Sequence, residues 1–293
     1  MVSHPLSPVS RLEQLLLLCH IKKVKDNILK TFARKVRAMD RIRDSVETLV
    51  LGSSHAQMGW IAKEGEFNLG MAYQDLYYSS QLYRRYIDAP SLKTVVIFYS
   101  VFSQGHQTIR TRDARACVTF QTVAGIDWEN ADVAATLHLK RLCFAYRRKT
   151  AGFLASHEYE PGDCGNERGY VPLVTGTARE RALAHFKNSH RDVEMTRFLA
   201  HLVSDAGKHG HAVCIVIPPA SVAYRRELPG GSQIFGDFKG TVSKWENVML
   251  FDHYEDPRFV QSDFIDWDHL SPAGAAKLTG LVRKEIEDGS KIQ

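Results

Sequence analysis

Cysteine is scarce and scattered in this chain. The five cysteines form neither a C-x-x-C pair nor a zinc-ligand spacing; they are Cys19, Cys117, Cys143, Cys164 and Cys214. This pattern excludes a disulfide-stapled scaffold and a zinc finger. An odd, dispersed set of cysteines is typical of reduced thiols, so it predicts a cytoplasmic protein.

Long hydrophobic runs are also missing. The apolar run at residues 15–19 is far shorter than the roughly 20 residues that cross a bilayer. Positive charges follow this run instead of preceding it, at Lys22, Lys23 and Lys25. The sequence therefore predicts neither a transmembrane helix nor a signal peptide.

No charge of one sign dominates. Lys and Arg number 38 against 33 Asp and Glu, which gives a net charge of +5. This balance argues against a dedicated nucleic-acid-binding protein, although it allows a mild preference for phosphates or acidic glycans.

Much of the positive charge lies in an N-terminal extension, residues 1–45. Within it, residues 11–43 predict one or two basic amphipathic helices, with positive residues at Lys30, Arg34, Lys35, Arg37, Arg41 and Arg43. We expect these charges to form a solvated face of helices packed on the main domain. The alternative is peripheral contact with an anionic inner-membrane surface or with polysaccharide-assembly proteins.

Strands and helices alternate from residue 46 to the end. Apolar runs predict strands at 46–51, 67–70, 93–99, 212–217 and 248–251, with a last helix at Pro272–Glu287. Strands separated by helices predict parallel pairing and a three-layer α/β/α sandwich, similar to flavodoxin, for residues 46–293.

Residues 105–190 interrupt this alternation and predict a helical insertion, placed as a lid or a substrate-binding cap. A helix is expected at 132–154, followed by a Gly/Pro-rich loop at 158–176 and a helix at 179–208. The first helix carries Lys140, Arg141, Arg147, Arg148 and Lys149. These charges are either a solvated face or ligands for substrate phosphates or carboxylates.

A serine follows the first predicted strand. The sequence L-V-L-G-S-S-H at residues 49–55 places Ser54 at the carboxyl end of a buried parallel strand, where α/β folds bind ligands. Backbone N–H groups at the start of the next helix could stabilise an oxyanion there. The alternatives are that Ser53 or Ser54 merely caps the helix, or a phosphate-binding turn, although the spacing of a P-loop is absent.

An aspartate and a histidine precede the last helix. Asp266 stands three residues before His269 in D-W-D-H-L-S-P, a spacing that lets the acid bond one imidazole nitrogen while the other faces a serine. Asp268 is expected to point away from the His269 imidazole. Asp263 is expected to support the site without contacting His269 directly. The alternative is a surface turn that caps the helix starting at Pro272.

The two motifs together resemble the SGNH (GDSL-like) hydrolase superfamily. The match is to a bacterial subgroup with G-S-S-H in place of G-D-S, associated with surface-polysaccharide assembly and distantly similar to proteins that O-acetylate alginate and D-alanylate teichoic acid. The resemblance covers about two thirds of the chain, and residues 105–190 lie outside it. It implies that Ser54 is the nucleophile, His269 the base and Asp266 its orienting partner.

The chain departs from the superfamily in its oxyanion donors. The second block of the superfamily supplies a glycine N–H, for which the resemblance implies Gly70 or the backbone of Tyr73. The asparagine of the third block is missing, so Ser100 or Ser103 is the substitute, or the oxyanion hole is incomplete. His55 either packs beneath the loop or contacts the acyl donor.

The resemblance implies acyl-ester chemistry through an acyl-Ser54 intermediate. The expected enzyme is an O-acyltransferase or an esterase acting on a capsule or lipopolysaccharide sugar, or on another small acyl ester. We expect no permanently bound cofactor and no metal, with acetyl-CoA as an acyl donor. One alternative is a weakly active or inactive scaffold in a polysaccharide assembly machine. Another is a metal hydrolase built on Asp252, His253 and Asp256, although no metal-ligand spacing is complete.

Overall fold

Five parallel strands form a central sheet in the structure, a computed structural model that describes residues 26–108, 115–127, 176–190 and 195–289. The strands follow the order β2-β1-β3-β4-β5. Their bounds are β1 Thr48–Leu51, β2 Glu66–Asn68, β3 Thr94–Phe98, β4 Ala212–Ile217 and β5 Val248–Asp252. Each strand lies within two residues of its predicted position, and the predicted α/β/α fold is confirmed.

Helices cover both faces of this sheet. They are α1 Asp26–Ile42, α2 Ser54–Gly59, α3 Leu76–Tyr86, α4 Arg115–Ala124, α5 Ala178–Ser189, α6 Thr196–Lys208, α7 Val222–Glu227, α8 Gly236–Val242 and α9 Pro272–Glu287. Short 3₁₀ turns lie at Arg43–Ser45, Gly231–Phe235 and Gln261–Asp263. Among the described residues, no helix is both long and apolar enough to cross a membrane.

Two hydrophobic cores lie on opposite faces of the sheet, because successive strand residues point in opposite directions. Leu49 and Val95 are paired neighbours that face the larger core, which α1, α3, α4 and α6 cover. Val50 and Val96, the next pair, face the smaller core under α2 and α9. Strands buried on both faces explain the nearly continuous apolar runs in the sequence.

The parallel register aligns the carboxyl ends of the central strands. Leu51 of β1 pairs with Ile97 of β3, and Ile97 pairs with Ile215 of β4. The loops that follow β1, β3 and β4 therefore leave the sheet along one edge, where the candidate site lies.

The predicted helix at 179–208 is two helices, α5 and α6. The carbonyl of Phe186 accepts from the Ser189 hydroxyl at 2.7 Å and from the His190 N–H at 3.3 Å. Such local side-chain bonds compete with continuation of a helix, and periodicity does not show them. The predicted helix at 132–154, its five basic residues and most of the loop at 158–176 lie outside the described residues.

Helix α1 corrects the expectation that all of its charges are solvated. Phe32, Val36 and Met39 are buried, and Lys35 lies on the same helix face with a relative exposure of 0%. The Lys35 ammonium donates to the carbonyl of Gly70 at 2.8 Å. Within residues 31–42 of α1, Lys35 is thus a fully buried charge, and its ammonium donates to a loop carbonyl beside α2.

Candidate active site

Ser54 stands at the turn between β1 and α2. Gly52 makes this turn with φ +139°, and a Cβ there would come within 3.0 Å of the Phe98 Cβ. The Ser53 hydroxyl caps α2 by accepting the His55 N–H at 3.4 Å. Because Ser53 serves as the cap, the hydroxyl of Ser54, the first residue of α2, is left for another partner.

That partner is His269. The Ser54 Oγ lies 2.8 Å from His269 Nε2, and His269 Nδ1 lies 2.7 Å from Asp266 Oδ2. An ionised carboxylate only accepts, so Nδ1 carries the proton and Nε2 is free to accept the serine proton. The structure therefore brings together the three residues that the sequence singled out, in the arrangement of a catalytic triad.

Local hydrogen bonds hold Asp266 in place. Its Oδ1 accepts the N–H groups of Asp268 at 2.9 Å and His269 at 2.7 Å, which leaves Oδ2 for the imidazole. Burial acts to raise the pKa of Asp266, but the hydrogen bond and charge of His269 outweigh it and lower that pKa. A backbone bridge between Phe264 and Leu270 closes the loop. These residues do form a turn, but it is buried, and Ser271 rather than Asp266 caps α9. The turn aims the Asp266 carboxylate at His269.

Asp263 and Ser271 anchor this loop without joining the triad. Ser271 caps α9 by accepting the Gly274 N–H, and its own N–H donates to the Asp263 carbonyl at 2.8 Å. The Asp263 carboxylate accepts from Lys277 and from the Val260 N–H. Asp263 therefore helps to fix the start of α9 and, as its distance from His269 in sequence suggested, does not join the triad.

Asp268 is the centre of a second polar cluster. Its Oδ2 lies 3.0 Å from His55 Nε2, and the Arg181 guanidinium donates to both carboxylate oxygens at 3.0 and 3.2 Å. His185 Nδ1 lies 3.6 Å from the same carboxylate and 2.7 Å from the Tyr224 hydroxyl. No motif in the sequence indicates Arg181 or His185 here, because they lie on α5, inside the insertion.

Burial and charge set the ionisation of this cluster. Burial acts to raise the pKa of Asp268, but its interactions with the His269 imidazole and the Arg181 guanidinium outweigh burial and hold that pKa well below the usual range. Burial also lowers the pKa of His55 and holds that of His185 well below its usual value. The cluster therefore contains an anionic Asp268, a cationic Arg181 and two neutral imidazoles at neutral pH.

His55 connects the two clusters. Its ring is stacked on His269, with centroids 4.8 Å apart and planes 21° apart. The Nδ1 of His269 also lies 4.0 Å from Asp268 Oδ1. His55 is buried at 6% relative exposure. It therefore occupies the position beneath the loop that the sequence offered as one of two alternatives.

The candidate donors for an oxyanion are only partly in place, in contrast to the three residues of the triad. As the first helical residue, Ser54 has no intrahelical acceptor for its N–H. The Gly70 N–H donates to Asn68 Oδ1 at 2.9 Å and would have to leave it to bind an oxyanion. Tyr73 is the one non-glycine with positive φ among the described residues, at +68°, a conformation that often marks a functional site.

Among the described residues, no hydrogen bond joins the two serines after β3 to the triad. The Ser103 hydroxyl accepts the Ser100 N–H at 2.9 Å. The Ser100 hydroxyl is buried without a partner among the described residues and lines a small cavity with His55 and His185. Neither Ser54 nor His269 lines that cavity. Ser100 and Ser103 thus show no direct contact that would replace the missing asparagine.

Metal binding fits these residues poorly. Among the described residues, only His55, Asp268 and His269 place donor atoms within 4.8 Å of one another as a potential metal group. His269 is already bonded to Ser54 and Asp266, and Asp268 is paired with Arg181. The positive charge of Arg181 would repel a metal ion. The residues of the alternative metal site, Asp252, His253 and Asp256, are engaged in other ion pairs. Asp252 pairs with Lys239, and His253 lies between Asp256 and Glu285.

Comparisons with known proteins give little beyond this geometry. Neither a protein-family model nor a curated protein matches the chain. Among solved structures, the chain is similar to a Streptococcus pneumonia protein provisionally described as a platelet activating factor, with 11% identity and a TM-score of 0.44. The match covers 94% of this chain and 99% of that chain. A likeness this distant says nothing about the reaction, so functional inference starts from the triad.

Proposed function

We propose that this protein is a serine enzyme of acyl-ester chemistry that works through an acyl-Ser54 intermediate. One observation carries the proposal, namely the continuous hydrogen-bonded chain from the Ser54 hydroxyl through His269 to Asp266, at 2.8 and 2.7 Å. A serine hydroxyl is a weak nucleophile until a base accepts its proton, and this chain provides the base together with the carboxylate that fixes its tautomer.

The proposed reaction has two halves. Ser54 Oγ attacks the acyl carbonyl while His269 Nε2 takes the serine proton, and the resulting oxyanion meets the free N–H at the start of α2. Collapse breaks the bond to the leaving group, which receives the proton from His269 and departs as an alcohol or a thiol. A second hydroxyl then attacks the acyl-serine, His269 takes its proton, and Ser54 leaves with that proton restored.

The identity of that second hydroxyl separates an esterase from an acyltransferase. Water gives a carboxylic acid, whereas a sugar hydroxyl gives an O-acylated sugar. We assign the chain to the SGNH type and favour O-acyl transfer or ester hydrolysis on a bacterial surface polysaccharide, with acetyl-CoA as a donor. The support is the resemblance of the segments around Ser54 and His269, together with their placement at one edge of a parallel sheet.

Trapping the intermediate tests the proposal. The protein is mixed with p-nitrophenyl acetate or with acetyl-CoA, quenched in acid and digested, and the peptide containing Ser54 is measured by mass spectrometry. We expect an added acetyl group on Ser54 with at least one donor and none in Ser54→Ala. Glycan acceptors that shorten the lifetime of this adduct and become acetylated would identify a transferase. Absence of the adduct with both donors, in a wild type that also shows no Ser54-dependent hydrolysis of p-nitrophenyl acetate, would contradict the proposal.

The incomplete oxyanion donors favour a second candidate, a scaffold that keeps the fold without turnover. The Gly70 N–H is bound by Asn68, and Ser100 faces a cavity apart from Ser54. Loss of one oxyanion donor typically raises a barrier by about 2.7–4 kcal/mol, so the difference from the superfamily matters. A scaffold would show an intact fold and rates of ester hydrolysis that are equal in the wild type and Ser54→Ala.

A further inference from the structure

The ion pair between Arg181 and Asp268 joins the insertion to the candidate site. Asp268 sits one residue before His269, and its side chain is only 4% exposed. Arg181 lies on α5 and donates to both oxygens of that carboxylate. A planar guanidinium on both oxygens fixes the orientation of a carboxylate more strongly than a lysine could.

Two sets of contacts connect this pair to His269. Asp268 accepts from His55 at 3.0 Å, and the His55 ring stacks on the His269 ring at 4.8 Å. In addition, Asp268 Oδ1 lies 4.0 Å from His269 Nδ1, close enough for its charge to act directly. Asp268 therefore lies next to His269 both through the stacked His55 ring and through its own carboxylate.

We propose that Arg181 and Asp268 are positioning residues that tune His269 as the catalytic base, with opposite electrostatic signs. This proposal rests on the proposed function. Asp268 stabilises the imidazolium that forms when His269 accepts the Ser54 proton, and Arg181 moderates that effect while it holds the carboxylate. Helix α5 of the insertion would therefore contribute to the chemistry of the site.

Apart from Asp266, the other titratable groups that the structure describes around His269 are neutral, so Arg181 and Asp268 are the remaining charges near it. Asp266 is an anion already committed to Nδ1. His55 and His185 are neutral because burial lowers their pKa values. Tyr224 and Tyr254, which also approach Asp268, stay neutral because burial raises their pKa values. Among the described residues around His269, the two further charges are therefore Asp268 and Arg181.

Charge-removing variants of the two residues test the proposal because they must act in opposite directions. The acid limb of the kcat/KM profile for p-nitrophenyl acetate marks loss of activity as the base becomes protonated. Asp268→Asn removes an anion and should move this limb to lower pH by about 0.7 unit or more, the effect of a unit charge at 4 Å in water. Arg181→Met removes a cation and should move the limb to higher pH by a smaller amount.

Three further variants serve as controls. Arg181→Lys keeps the cation and should leave the limb within about 0.2 unit of its wild-type position, whatever the loss in kcat. Arg179→Met removes an exposed cation from the same helix and should change neither the limb nor KM. The double variant Asp268→Asn with Arg181→Met should return the limb toward the wild-type value. Urea unfolding of each variant checks that the fold persists.

A titration of the histidine signals by NMR makes the same comparison without turnover. The His269 signal is assigned as the one that is missing in His269→Gln. Opposite shifts of its midpoint in Asp268→Asn and Arg181→Met are the expected result. Equal midpoints in the wild type and both variants, or shifts of the same sign, would overturn the inference even if Ser54-dependent hydrolysis is intact. Absence of Ser54-dependent hydrolysis in the wild type would instead contradict the proposed function, and the NMR midpoints would still decide the electrostatic claim.

Discussion

The hydroxyl of Ser54 lies 2.8 Å from Nε2 of His269, although 215 positions separate the two residues. The hydroxyl of the neighbouring Ser53 accepts the His55 N–H and caps α2. Two adjacent serines therefore have different tasks, one in the helix cap and one at the imidazole. This difference provides a matched pair of variants.

Replacing each serine separates the two tasks. Ser54→Ala should reduce hydrolysis of p-nitrophenyl acetate at least about 10³-fold while leaving the melting temperature nearly unchanged, because its half-buried hydroxyl contributes little to packing. Ser53→Ala should destabilise the protein by about 1 kcal/mol through loss of the cap and keep most of the activity. Steady-state rates and thermal melts distinguish these outcomes, and equal losses of activity in both variants would argue against the assigned roles.

Asp266 should matter through the imidazole tautomer rather than through the fold. Asp266→Asn presents an amide to Nδ1, which favours the tautomer that cannot accept the Ser54 proton, so kcat should fall by about 10²–10⁴-fold. Asp263→Asn is the control, since Asp263 pairs with Lys277 and does not contact His269. The control should lose stability and retain kcat, and a kcat for Asp266→Asn that equals the control's would contradict the role given to Asp266.

The sequence predicted the parts of this fold that depend on local patterns. Short apolar runs gave all five strands, and the glycine and two serines after residue 51 gave the turn into α2. The resemblance of the two motifs to the SGNH superfamily, rather than a local pattern, linked Ser54 to the loop before α9. Asp266 and His269 could be paired because three residues separate them in one turn.

The rest depends on contacts that no local pattern encodes. Arg181 and His185 reach Asp268 from an insertion whose docking is a tertiary event. Lys35 looks like one more charge on a basic helix, and only the burial of that helix face shows that it binds the Gly70 carbonyl. The Gly70 N–H looks available until Asn68 is seen to accept it.

Gly70 should be sensitive to any added side chain. A Cβ there would lie 2.6 Å from the Ala56 Cβ and 2.9 Å from the Gln57 nitrogen, so Gly70→Ala must displace α2. We expect destabilisation of about 1–3 kcal/mol with reduced activity, because α2 carries Ser54. Gly280→Ala is the control, since its added Cβ meets nothing within 4 Å and a helix favours alanine. Urea unfolding should show Gly70→Ala below the wild type and Gly280→Ala at or above it.

Asp75 should make stability depend on pH in a distinct window. This buried residue caps α3 and accepts the Tyr78 and Thr108 N–H groups. Burial raises its pKa to about 6 from 3.8, although those hydrogen bonds oppose the shift. The folded state therefore binds the proton more tightly, and the stability it contributes is full below about pH 4 and lost as pH rises through 6.

The comparison with Asp75→Asn isolates this effect from other carboxylates. Between pH 4.5 and pH 7.5, the free energy of unfolding of Asp75→Asn should rise relative to the wild type by about 2 kcal/mol. Urea titrations at several pH values measure this difference. A constant difference across the range would mean that Asp75 keeps its ordinary pKa.

Labelling with a fluorophosphonate tests the central claim most directly, because the reagent phosphonylates a serine only when a base activates it. The labelled protein is digested, and the modified residue is located by mass spectrometry. The account predicts a single stoichiometric adduct on Ser54 that disappears in Ser54→Ala and is strongly reduced in His269→Ala. A folded wild-type protein that takes up no label, or takes it up on Ser53 or at scattered serines, would contradict it.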